Sequence, residues 1–282
     1  MVTLAEKAAA TRYLQEAHGV NERQACAVLA IHCNTKRAYT DKSYTCEHEQ
    51  QVIALSLSEP RWGYRKVYDR LKLDGVRIGR ERVRLIHQRE GLQVRRKQHK
   101  KRYPGATGVL MRAEYPHHVW CYDFVFDATH EGRRLKCLTI ADEFSRWGLE
   151  IASARSMTAS TVKQVLGKLF AVWGAPAAIR SDNGPEFIAE EIKSWLREQN
   201  VQTHCIEPGS PWQNGNAESF NAIFRDDCLN RWDFYSVKEA RIVIRQWLRK
   251  YNEYRPHGSL KGKTPKLFLE QWRQKQSVNE AA

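Results

Sequence analysis

The chain has 282 residues, 42% of them hydrophobic, and a formal net charge of +14 at pH 7. That apolar fraction supports a core of ordinary size in one large domain or a medium domain with small attachments, and no apolar run approaches the ~18 residues of a membrane span. Seven cysteines, an odd number without a C-x-x-C pair, and a start (Met1 to Ala10) without a secretory apolar stretch exclude a disulfide framework or zinc ribbon and predict a cytoplasmic protein with reduced thiols.

Residues 3–40 read as two or three short helices. "LAEKAAATRYLQEA" is rich in alanine and other strong helix formers, and Gly19 offers a stop. "NERQACAVLAI" opens on an N-cap residue, Asn21, and its spacing predicts that Ala25, Val28 and Leu29 face inward. "HCNTKRAY" follows after a break, so residues 1–58 are expected to form a small helical module. His18, Cys26, His32, Cys33, Cys46 and His48 gather here, but no pair has the spacing usual for zinc, and no zinc site is expected.

Residues 59–96 carry a clearer pattern. In "RWGYRKVYDRLKLDG", Tyr64, Val67, Tyr68 and Leu71 form a helical apolar stripe that Asp74-Gly75 ends. In "RIGRERVRLIHQREG", Val83 and Ile86 are expected to face inward, with Arg80, Arg84, His87 and Gln88 on another face and Gly91 as the stop. Charge sharpens the reading. Residues 61–112 hold 17 Lys and Arg against 4 Asp and Glu, while residues 1–60 hold 6 against 7 and residues 113–282 hold 23 against 21. A solvated surface does not segregate charge in this way, whereas a phosphate-binding module does. Two helices with a basic outer face predict a helix-turn-helix-like DNA reader through Arg80, Arg84 and Gln88. "VRRKQHKKR" adds Arg95, Arg96, Lys97, Lys100 and Lys101 as phosphate contacts, within a basic linker of residues 97–114 punctuated by Pro104 and Gly105.

Beyond the linker the pattern changes to an α/β order. "HVWCYDFVF" (118–126), "RLKCLTIAD" (134–142) and "RWGLEIAS" (146–153) read as a three-stranded meander. A helix (Thr158 to Trp173), a short strand (177–181), a helix (about 187–199), a brief strand (202–206) and a helix from about Asn214 to Leu229 follow. The expectation is a mixed five-stranded sheet with flanking helices over residues 115–272, including a C-terminal helical extension, and a tail at 273–282.

Three carboxylates stand out in that frame. Asp123 lies inside a mostly apolar strand, where an ionised group needs a partner such as a cation. Asp182, in "RSDNGPEF", lies where a strand runs out. Taken alone the octapeptide favours a plain turn, since Asn183-Gly184 is a favoured turn pair, Pro185 suits a first helical position and Glu186 complements the helix dipole. Glu218 begins a helix whose apolar stripe is Phe220, Ile223 and Phe224, and 35 residues lie between it and Asp182.

With that interval the three acids resemble the D,D-35-E signature of the retroviral-integrase and transposase superfamily. "HVWCYDFVF", "RSDNGPEF", "PGSPWQNGNAESFN", "FRDDCLN" and "YNEYRPHGSLKGKTP" resemble the second-reading-frame (OrfB) transposase of a large two-frame bacterial insertion-sequence family. "RWGYRKVYDRL" and "GRERVRLIHQREGL" resemble the helix-turn-helix segment before its catalytic core, and "GVNERQACAVL" its N-terminal portion, so that the likeness spans nearly all of residues 15–270.

The resemblance implies a ribonuclease-H-like core in which the first and fourth strands bring two aspartates together and the glutamate enters from the last core helix. It implies Asp123, Asp182 and Glu218 as catalytic residues and ligands of two Mg²⁺ (or Mn²⁺) ions, for which hard oxygen ligands are suited. The implied reaction is cleavage at transposon ends followed by transfer of the 3′-hydroxyl strand into DNA. The implied partners are double-stranded DNA at the ends and the target, further copies of the chain on DNA, and an upstream-frame (OrfA) protein or a fusion with it, in the nucleoid.

Some neighbours compete. Asp127, on the same strand face as Asp123, is the rival first ligand, and Asp123 is preferred because it follows a tryptophan, Trp120, within the strand as in the family. Asp142 is expected to cap a hairpin turn. Arg225, seven residues after Glu218, shares its helix face and is expected to contact DNA, the alternative being a surface arginine balanced by Asp226 and Asp227. His257, in a family motif, is expected to serve packing. Two other functions stay open from the sequence: a nuclease that stops after hydrolysis, and a non-catalytic DNA-binding regulator.

Overall fold

A computed structural model describes residues 4–40, 46–94, 112–181, 190–205 and 215–280. The chain divides into two units, Met1–Gln93 and Val94–Ala282.

The described part of the first unit is all helical: α1 (Leu4–His18), α2 (Glu22–Val28), α3 (Cys33–Thr40), α4 (Cys46–Ser58), α5 (Tyr64–Leu73) and α6 (Arg80–Arg89). Gly19 takes a φ of 63° after α1, a conformation that glycine adopts without the steric penalty of a Cβ. Asn21 caps α2 through a reciprocal pair of bonds with Gln24. The inward face of α2 differs from the expected one. Ala25 and Cys26 are buried while Val28 is 76% exposed, because α2 ends at Val28 after two turns and buries the neighbouring strip instead.

In α5 and α6 the expected apolar residues Val67, Leu71, Val83 and Ile86 are buried. They pack with α4, which buries Val52 and Ser56. The sequence concealed α4 because its apolar residues circle the helix, and Leu57 is left 64% exposed. His87 corrects another expectation: it lies inside rather than on the basic face, 2% exposed, with a ring nitrogen 2.8 Å from Ser56 Oγ. Burial pushes its pKa below the ordinary histidine value and favours the neutral ring.

The second unit is a five-stranded sheet between helices. Its strands are β1 (Val119–Ala128), β2 (Arg134–Asp142), β3 (Gly148–Ala154), β4 (Ala178–Ser181) and β5 (Gln202–Cys205). Its helices are α7 (Ala159–Trp173), α8 (Glu190–Glu198), α9 (Gly215–Asp227), α10 (Val237–Glu253) and α11 (Pro265–Glu280), the last continuing through residues 273–280 of the expected tail. The strand order is β3-β2-β1-β4-β5, with β1, β2 and β3 antiparallel and β4 parallel to both β1 and β5. The first and fourth strands are therefore neighbours, as a ribonuclease-H-like core requires.

Alternation along β1 splits the core in two. Trp120 and Tyr122 join Leu138, Ile140 and residues of α7 and α8 on one face. Cys121 and Val125 join Leu135, Cys137, Phe220 and Phe224 on the other, with α10 packed behind. Both faces are covered, which is why the strands read as long apolar runs.

The α10 side is locked at Gly148. A Cβ there would meet Leu248 Cδ1 at 2.5 Å and Phe220 Cε2 at 3.0 Å. Asn252 brackets the same glycine, accepting from its N–H and donating to its carbonyl, each at 2.8 Å. The buried Arg255 pairs with Asp227, and His257 packs edge-on against Tyr251 at 4.7 Å. The "YNEYRPHGSL" motif thus ties α10 to β3 and α9.

Candidate active site

The site is built where α9 crosses β1. Asp123 sits mid-strand on the α9 face and is half-buried. Its Oδ1 accepts from the backbone N–H of Phe124 at 2.7 Å. Its Oδ2 accepts from Asn221 Nδ2, also at 2.7 Å. The hydroxyl of Thr139, the cross-strand partner of Asp123, donates to Asn221 Oδ1 at 2.7 Å and lies 3.1 Å from the Asp123 carbonyl. This chain of bonds fixes the orientation of the Asn221 amide and, through it, the Asp123 carboxylate.

Glu218 lies three residues before Asn221 and shares its helix face. It is exposed, on a helix anchored by the buried Ala217, Phe220 and Phe224. Further along that face, Arg225 Nη2 donates to the carbonyl of Phe126 at 2.7 Å. The face of α9 that carries Glu218, Asn221 and Arg225 therefore follows β1 from Asp123 to Phe126. Asp127 accepts from the N–H of Ala128 at 2.9 Å, beyond the turn of α9 that carries Glu218. Arg225 is not balanced by Asp227, whose carboxylate is taken by Arg255.

A second polar cluster lies under the same end of the sheet. Arg180 of β4 donates from Nη1 to both oxygens of Glu143 at 2.8 Å, with the two side chains 6% and 3% exposed. Asn216, two residues before Glu218, is within hydrogen-bonding reach of the same carboxylate. Burial pushes the Glu143 carboxyl up, while Arg180 and Asn216 pull it back. His204 faces Arg180 across the β4–β5 pair, and burial together with the Arg180 charge pushes its pKa down. Asp142 caps the β2–β3 turn as expected, accepting from Ser145 N at 2.9 Å and His117 N at 3.0 Å.

Burial favours the protonated form of the nearby thiols. Cys121 is buried and its pKa raised; burial pushes Cys137 up to about 11 and Cys228 up to about 12.

In the helical unit, Arg80 and Gln88 are exposed and Arg84 is half-buried. Arg84 Nε reaches both Glu81 oxygens at 2.9 Å, and its Nη1 donates to Gln88 Oε1 at 3.2 Å, so Arg84 and Gln88 are neighbours on one face. Glu49 of α4 accepts from both Arg82 and Arg89. Asp182, Arg95, Arg96, Lys97, Lys100 and Lys101 lie outside the described residues. Among the described residues no three His, Cys, Asp or Glu side chains converge as a metal site.

Sequence reasoning missed Asn221, Thr139, Glu143 and Arg180. Asn221 was signalled only by its place one turn after Glu218. Glu143 and Arg180 were signalled only as lone charges next to or inside apolar strands.

The integrase core domain model matches residues 113–211 and 199–265, and an HTH-like domain model matches residues 47–101. An uncharacterised 39.2 kDa protein of insertion element IS476 from Xanthomonas euvesicatoria is 34% identical over 274 residues, covering 97% of this chain and 79% of that protein. The chain belongs to the insertion-sequence transposases of the retroviral-integrase superfamily. An uncharacterised 31.7 kDa protein of insertion element IS407 from Burkholderia multivorans is 33% identical to this transposase over 90% of this chain and 92% of its own length. The transposase for insertion sequence element IS904 from Lactococcus lactis is 24% identical over 74% and 87%. The transposase is accordingly a polynucleotidyl transferase of the transposase/integrase type, with DNA as its partner. Among its described residues no helix is long and apolar enough to cross a membrane.

Proposed function

We propose that Asp123, Asp182 and Glu218 form one metal-dependent centre at which this transposase cleaves transposon ends and then transfers the freed 3′-hydroxyl strand into DNA. The observation that carries the reading is the 2.7 Å bond from Asn221 to Asp123, which ties the turn of α9 next to Glu218 to the aspartate of β1. Val119, Trp120 and Cys121 of β1 pair with Ala178, Ile179 and Arg180 of β4, and Asp182 follows Arg180 by two residues in the chain.

The donor set fits Mg²⁺ or Mn²⁺. Asp123 and Glu218 offer hard carboxylate oxygens, the ligands such cations take, and Glu218 is exposed to take one. Bound there, such ions, two per site, would lower the barrier to in-line displacement by stabilising the attacking and leaving oxygens.

The protein's own residues then have distinct tasks. Asn221 and Thr139 orient Asp123, and Arg225 offers positive charge along the same helix face for the DNA backbone. Arg80, Arg84 and Gln88, with Arg95, Arg96, Lys97, Lys100 and Lys101, hold the transposon end through the helical modules of residues 1–58 and 59–96 and the linker of residues 97–114. The core of residues 115–272 performs the chemistry. In the first step water attacks a phosphodiester, one P–O bond forming as another breaks, and a 3′-hydroxyl is released. In the second, that hydroxyl attacks a phosphodiester of target or donor DNA, its P–O bond forming as the bond to the attacked strand's own 3′-oxygen breaks, and that oxygen leaves as a 3′-hydroxyl. Copies of the chain, with the upstream-frame protein or a fusion to it, would assemble on paired ends in the nucleoid.

Labelled end DNA, unlabelled target DNA and Mg²⁺ test this. Joined products are expected, and Asp182→Asn should remove both cut and joined species. Cut ends without joined molecules would leave only a nuclease. Unchanged biological activity in Asp182→Asn would leave only a DNA-binding regulator.

A further inference from the structure

We propose that Glu143, Arg180 and Asn216 form a buried polar clamp that holds the segments carrying the three carboxylates at the spacing needed to bind divalent cations. The proposal rests on the carboxylate triad being the reactive centre.

Each member of the clamp belongs to a different segment of that centre. Glu143 follows β2, and its N–H donates to the carbonyl of Val119 at 3.0 Å, tying it to the start of the strand that carries Asp123. Arg180 is the residue of β4 paired with Cys121, two places before Asp182. Asn216 is the second residue of α9, two places before Glu218; it lines one cavity with Cys121 and Asp142, the neighbours of Arg180 and Glu143, and its amide pulls the Glu143 carboxyl down. Glu143 therefore joins β1 through its N–H, β4 through Arg180 and the start of α9 through Asn216, within four residues of each acid along the chain.

Stability alone does not account for such a pair. Both side chains are at least nine-tenths buried, and the loss of hydration offsets most of the attraction between two buried charges. An apolar pair of similar volume would fill the space as well. What an apolar pair lacks is direction: the guanidinium and the amide admit few positions about a fixed carboxylate. The three residues are positioning residues, since they act through the chain segments they hold.

The test uses the full chain carrying Arg180→Met with Glu143→Leu, and separately Asn216→Ala. Mn²⁺ affinity is read by electron paramagnetic resonance, the Mg²⁺ midpoint and saturated rate by end cleavage, and folding by thermal melting. The double variant is expected to melt within a few degrees of the parent. Its Mn²⁺ affinity should fall ~10–100-fold and its Mg²⁺ midpoint rise to match, as on loss of the outer partners of a metal site. Saturating Mg²⁺ should restore most of the rate. Asn216→Ala should shift both readouts in the same direction by less. A folded double variant with unchanged Mn²⁺ affinity and Mg²⁺ midpoint overturns the clamp. If the double variant does not fold, unchanged values in Asn216→Ala overturn it equally. Asp123→Asn and Glu218→Gln, measured alongside, separate the two ideas. If they bind Mn²⁺ and cleave as the parent does, the triad itself fails. If they lose both while the clamp variants keep both, only the clamp fails.

Discussion

The two units of this transposase use polar side chains in opposite ways. In the helical unit several ion pairs are local, joining Arg84 to Glu81, Arg70 to Asp74 and Arg89 to Glu90, while Glu49 of α4 reaches α6 and Lys36 of α3 reaches Glu22 of α2. In the sheet unit the bonds that shape the site join residues far apart in the chain: Asn221 to Asp123 across 98 positions, Thr139 to Asn221 across 82 and Asn252 to Gly148 across 104. Local pairs on a surface each contribute little and leave a field of positive charge that many arrangements could supply. Long-range bonds fix one arrangement of backbone. Loss of one surface pair in the first unit is therefore expected to cost less than loss of one site bond in the second.

Substitutions can break or sharpen that contrast. The largest effect is expected at Asp123. Asp123→Asn should lower single-turnover end cleavage by at least ~10³-fold, since several kcal/mol of metal-assisted stabilisation correspond to about three decades. Asp127→Asn should stay within about threefold, and the reverse ranking would move the centre along β1. Asn221→Ala comes next, with a loss of ~10–100-fold in activity or metal affinity, because Asp123 loses the partner that orients it. Titrating Mg²⁺ against rate checks this.

The fold was legible where one element determines its own pattern. The apolar runs that mark β1 to β3, the Asp74-Gly75 stop and the Phe220–Phe224 stripe are all local features, and the structure holds each of them. The resemblance supplied the rest of the expected site, whose Asp182 member lies outside the described residues. What stayed hidden depended on contact between distant segments. Asn221 becomes informative only when β1 lies beside it, and Glu143 only when Arg180 and Asn216 arrive from other elements. His87 fell on the basic side of a helical wheel, yet Ser56 of α4 draws it inside. No spacing in the sequence announces that helix.

Smaller effects should follow from stability and charge. Asn252→Ala leaves the buried N–H and carbonyl of Gly148 without partners, so unfolding free energy in urea should fall by about 1–3 kcal/mol. The helical unit should respond least. Arg80→Ala should weaken binding of end DNA only a few-fold and reduce the slope of log affinity against log salt by about one, measured by fluorescence anisotropy over a salt series. A collapse of binding from that single change would erase the contrast between the units.

The most direct measurement is the anomalous scattering of Mn²⁺ in crystals of the transposase, grown at a Mn²⁺ concentration that supports end cleavage in solution. A peak about 2.1 Å from a carboxylate oxygen of Asp123, shared with Asp182 or Glu218, is the expected result. Peaks elsewhere, with all three carboxylates well ordered and bare, would contradict the assignment of these residues as one reactive centre.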